Sequence, residues 1–158
     1  MRLILAFILN LLLSFAALAQ ANSSLSLTNA PSIGVQRVVV SGVNFNSANT
    51  DTALNVPMPV GITRWLYLRA HISNASASIS TATIGLFTAT GGGGTAIASN
   101  QAITVTATTP DTNNNTMFIN PNNANTQAYN DTTIQVRIGT AQGSAATADV
   151  ILYYLPLS

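Results

Sequence analysis

From residue 20 to its end the chain is dominated by residues that form helices poorly. Thr, Ser, Asn, Val, Ile and Gly dominate. Ser, Thr and Asn offer the backbone competing hydrogen bonds, and the β-branched residues suit a pleated surface better than a helix. Short apolar runs recur between turn-type clusters, which is the pattern of a sandwich or barrel.

The first run is Val35 to Val43, and a weaker one covers Thr52 to Val56 before Pro57 and Pro59. In Arg64 to Ile72, period-two alternation puts Leu66, Leu68, Ala70 and Ile72 on one face and Trp65, Tyr67, Arg69 and His71 on the other. Ser78 to Thr88 follows. Gly91 to Gly94 is expected to form a flexible hairpin tip before strands at Thr95–Ala98 and Ala102–Thr106. Thr108 to Asn130 is dense in Asn and punctuated by Pro110 and Pro121, with a short strand expected at Met117–Ile119. In Thr132 to Thr140, Ile134, Val136 and Ile138 alternate with Gln135 and Arg137. The last run, Ala148 to Leu155, has apolar groups on both faces, so it should be central or covered on its second face by a partner. About eight strands predict one all-β domain over 35–158, an antiparallel β-sandwich of jelly-roll-like form.

Residues 1–19 carry the pattern of a signal peptide. Arg2 supplies the positive end, Leu3 to Leu13 an apolar stretch broken only by Asn10, and Ala17-Leu18-Ala19 a small-x-small site. Cleavage is expected before Gln20, with Asn22 as the second choice. The apolar run is shorter than the roughly 20 residues that span a bilayer. With no cysteine to lipidate, release is expected rather than stable membrane insertion, a retained anchor being the alternative. Residues 20–34 form a lead-in. The expected location is outside the cytoplasm: periplasmic, extracellular or on a virion surface.

Charge excludes several function classes. Beyond the leader stand four arginines (Arg37, Arg64, Arg69, Arg137) and four aspartates (Asp51, Asp111, Asp131, Asp149), with no lysine or glutamate. Side chains that sum to zero cannot hold nucleic acid by counterion release, nor an anionic membrane by a basic patch. Low net charge favours association over repulsion.

Catalytic chemistry is poorly supplied, and the chain is expected not to be an enzyme. His71 is the one histidine, the aspartates are scattered, and neither a G-x-S-x-G elbow nor a thiol is present. No metal site or cofactor is expected. Asp111, Asn113 and Asn115 open like a calcium loop, but Thr116 and Asn122 stand where such a loop needs Gly and Glu. Gly91 to Gly94 lacks the lysine of a phosphate-binding loop.

Two surfaces are candidates for function. The Trp65, Tyr67, Arg69, His71 face would suit a sugar ring or a protein–protein hot spot. The alternative is that Trp65 and Tyr67 fill the core while the leucines face outward. Ile151, Tyr153 and Leu155, on the second face of the last strand, are candidates for self-association.

From Arg64 onward the chain resembles small β-sandwich proteins encoded among phage and prophage virion genes. The stretches carrying the likeness are Ile84-Gly85-Leu86-Phe87-Thr88-Ala89 with the glycine tip and Thr95-Ala96-Ile97. Arg137-Ile138-Gly139-Thr140-Ala141-Gln142-Gly143 and Ala146-Thr147-Ala148-Asp149-Val150 complete it. The resemblance implies a virion-surface component, such as a decoration or fibre-like protein, and brings no catalytic residues. The leader departs from it, because virion proteins usually assemble inside the cell. Two hypotheses follow: a structural protein that forms a homo-oligomer or joins a virion or surface assembly, and an exported binding module that recognises carbohydrate or acts as an adhesin.

Overall fold

The computed structural model describes residues 34–103, 117–122 and 127–157. The expected signal peptide, Asp111 and its neighbours, and residues 104–106 lie outside these. Among the described residues there are nine strands: β1 (Gln36–Asn44), β2 (Thr50–Asn55), β3 (Arg64–Ser73), β4 (Thr83–Phe87), β5 (Ala96–Ala102), β6 (Met117–Ile119), β7 (Ala128–Tyr129), β8 (Thr133–Ile138) and β9 (Thr147–Leu157).

They form two antiparallel sheets. In one the order is β1-β9-β3, with β6 and β7 paired to different stretches of β3; in the other it is β2-β8-β4-β5. β9 pairs with β3 along its whole length, so β6, opposite Ala70–Ile72, and β7, opposite Trp65–Leu66, share the remaining edge of β3. Together they act as one interrupted strand. Two four-stranded layers in this order, with the chain passing from sheet to sheet around a single β4–β5 hairpin, are the connectivity of a jelly roll.

Period-two patterning explains the layers. Ile134, Val136 and Ile138 of β8 are buried, while Gln135 and Arg137 between them reach outward. Val150, Leu152 and Tyr154 of β9 meet them from the facing sheet in the same core. As expected, the last strand is central, flanked by β1 and β3. One end of the core is aromatic: Trp65 lies 5.0 Å from Tyr129 and 5.9 Å, edge-on, from Tyr154. Its indole N–H donates to the Asp131 carbonyl at 2.8 Å, and the Tyr154 hydroxyl to that of Pro57. These are the partners that buried indole and phenol groups require.

Three local expectations are corrected. The run from Ser78 becomes a strand only at Thr83, because Ile79 turns into the core and its carbonyl accepts the Ala82 N–H at 3.1 Å. Thr95–Ala98 belongs to one strand reaching Ala102. The glycine tip is a turn held from within its own sheet, where the Gly91 N–H donates to Asp51 of β2 at 2.8 Å.

The largest departure is in β3. Its register against β9 shifts between Tyr67 and Arg69, so Leu68 is an extra residue, a β-bulge. Alternation resumes one step late. Trp65 and Tyr67 face inward, as do Ala70 and Ile72, while Arg69 and His71 face outward. The bulge is stapled by Tyr67, whose hydroxyl accepts the Ala70 N–H at 2.7 Å and donates to the Ile119 carbonyl of β6.

Candidate functional site

The bulge separates the four residues that simple alternation places together. Trp65 and Tyr67 are core residues, 0% and 1% exposed. They make no surface platform; the alternative reading, in which they fill the core, describes them. Leu66 lies on the outer face, and Ala70 and Ile72 on the inner.

Arg69 and His71 instead join the other candidate set. Cross-strand pairing puts Arg37 of β1, Tyr153 of β9 and Arg69 of β3 in one row. Val39, Ile151, His71 and Phe118 form the next. Beyond Tyr153, Leu155 pairs with Leu66; beyond Ile151, Asp149 pairs with Ser73. All point away from the core, so the outer face of the β9 sheet is one continuous surface built from four strands.

Its chemistry is mixed. The Arg69 guanidinium sits 4.2 Å over the Tyr153 ring, a cation–π contact. His71 stacks on the same tyrosine at 5.7 Å and meets Phe118 edge-on at 6.2 Å. Ile151 is 7% exposed yet lies outside the core cluster, so its cover comes from its neighbours on this face. Tyr153 and Leu155 are half-buried, and Phe118 is 54% exposed.

Three of the four arginines after residue 19 (Arg37, Arg64, Arg69) project from this sheet and make no ion pair among the described residues. Arg137 is the exception, 3.2 Å from Asp51 on the opposite sheet. Asp149 ties the irregular stretch of β1 to the residue after β3, accepting from the Gly42 N–H at 3.0 Å and the Asn74 side-chain amide at 2.7 Å.

The His71 side chain is held neutral. Burial lowers its pKa first, and Arg69 and Arg37 lower it further. Its Nδ1 has no hydrogen-bond partner, nor has the Ser73 hydroxyl two residues on. Burial pushes the Tyr67 hydroxyl up to about 12.

Arg37, Val39, Phe118 and Asp149 were not among the sequence candidates. Arg37 and Val39 alternate legibly within β1, but their place beside Tyr153 and Ile151 depends on cross-strand register. Among the described residues no helix is long and apolar enough to cross a membrane, and no three His, Cys, Asp or Glu side chains cluster to hold a metal. Comparison of the chain with protein-family models, with curated proteins and with solved structures found no match.

Proposed function

We propose that this is an exported, non-enzymatic structural protein that self-associates through the outer face of its β9 sheet, a decoration or fibre-like component of a virion or cell surface. The observation that carries the reading is that face. Its sheet has already filled the core from the other side, yet it adds Ile151, Tyr153, Leu155, Leu66, Val39 and an exposed Phe118. Aromatic and arginine side chains at the centre of an apolar patch are what interface cores use.

The jelly-roll order is compatible with this role, since capsid domains share it, but lectins share it too, so the fold does not choose between them. Export rests on the leader pattern in residues 1–19. The carbohydrate-binding reading is weakened with Trp65 and Tyr67 in the core, and rests on Tyr153 and Phe118 for ring stacking.

Size-exclusion chromatography with light scattering on Gln20–Ser158 tests the reading. A defined oligomer is expected, and Tyr153→Asp should convert it to a folded monomer with an unchanged β-sheet circular dichroism spectrum. The carboxylate would lie beside Arg37 and Arg69 in the monomer but would be buried in the contact. A wild-type monomer, or an oligomer indifferent to Tyr153→Asp, would overturn it.

A further inference from the structure

The outer face of the β9 sheet is not uniform along its strands, and its rows differ in charge and size. The row at residue 149 is small and acidic: Asp149 with Ser73 beside it and the Gly42 N–H bound to its carboxylate. The row at 153 is large and basic, with Tyr153 between Arg37 and Arg69. Between them runs the apolar row of Val39, Ile151, His71 and Phe118. The outer rows stand four residues apart on β9, about 13 Å, with Ile151 midway.

A face with this order complements itself. Consider two copies pressed face to face about a two-fold axis along the Ile151 row. Position 149 of each then lies over position 153 of the other, and Ile151 over Ile151. The carboxylate of one copy enters between the two arginines of its partner, twice per dimer. The large row covers the small one, and the apolar rows meet in the middle. Each oxygen of Asp149 already accepts one bond within its own chain, and a carboxylate has capacity for about four. Residue i contacting j while j contacts i is the defining feature of an isologous contact. Four strands wide, the sheet offers a face of about 600 Å², on the order of the area each partner covers in a stable complex.

We propose that the self-contact is this two-fold dimer, with Asp149 of each copy paired to Arg37 and Arg69 of the other. The proposal rests on the self-association reading above and adds its partner residues and register. It also gives partners to two charges that have none within the described residues: Asp51 pairs with Arg137 inside the chain, whereas Arg37 and Arg69 make no ion pair there.

A charge swap tests it. Two variants of the full chain are made, one carrying Arg37→Asp with Arg69→Asp, the other Asp149→Arg. Alone, each opposes like charges at both ends of the contact and should dimerise at least tenfold more weakly. Mixed, they restore opposite charges at both ends, so a one-to-one heterodimer of near wild-type affinity is expected by light scattering and native mass spectrometry. If the wild type oligomerises and the variants associate as tightly as it does, or stay apart on mixing, this register is wrong while self-association stands. A monomeric wild type overturns both. Asp149→Arg also removes the acceptor for the Gly42 N–H. Should it fail to fold, Asp149→Asn keeps that acceptor and should still weaken the dimer about tenfold, with a shallower dependence on salt; unchanged affinity would overturn the pairing.

Discussion

The Tyr67 hydroxyl takes the Ala70 N–H that the bulge frees from the ladder and passes its own proton to Ile119. A phenylalanine there would keep the ring in the core but leave a buried N–H and a buried carbonyl unmatched. Tyr67→Phe is therefore expected to cost about 1–3 kcal/mol in urea unfolding, and an unchanged midpoint would remove the hydroxyl from the account of the bulge. His71 acts through its neutral form. Its folded pKa lies below the ordinary 6.5, so below that pH the unfolded chain binds the proton more readily. Its contribution to stability is complete above about pH 6.5. It is lost as pH falls toward the depressed folded value, and levels off beneath it. His71→Gln should remove that part of the acid slope in a series of urea midpoints, and an unchanged slope would remove the histidine from the account.

At the scale of elements, the β4–β5 turn shows how glycines with similar backbones differ in what surrounds them. Gly91 and Gly94 both have positive φ, +71° and +66°, but open space lies where a side chain on Gly91 would go. At Gly94 the same position is occupied by the Thr88 hydroxyl and, at 3.1 Å, the Ala89 nitrogen. Gly91→Ala should carry only the left-handed backbone penalty, about 1 kcal/mol. Gly94→Ala adds a clash and should cost roughly 1–3 kcal/mol more, read as a larger fall in melting temperature. Equal effects would mean that the turn relaxes. The elements themselves were legible where alternation was long and clean: β8 and β9 were expected within two residues of their observed ends. β7, two residues long, carries too little pattern to find. β4 began late because one buried isoleucine ended a β-rich run in a turn.

At the scale of the whole molecule, composition and alternation called for an all-β sandwich, with a final strand that is central or covered on its second face by a partner. The reason is physical: β-branched and small polar residues disfavour helices, and period-two alternation with one buried face permits a single register per strand. Those are local properties, readable along the chain. The site was not local. Arg69 and His71 were chosen as functional, and so were Ile151, Tyr153 and Leu155, but as two surfaces. That they are one, and that Trp65 and Tyr67 belong to the core, was decided by a bulged residue at Leu68 and by the pairing of β9 with both β1 and β3. A bulge turns every later side chain to the opposite face and leaves no mark in composition. Cross-strand register joins residues more than eighty positions apart, as Arg37 joins Tyr153. Only the folded sheet brings their charges and rings together.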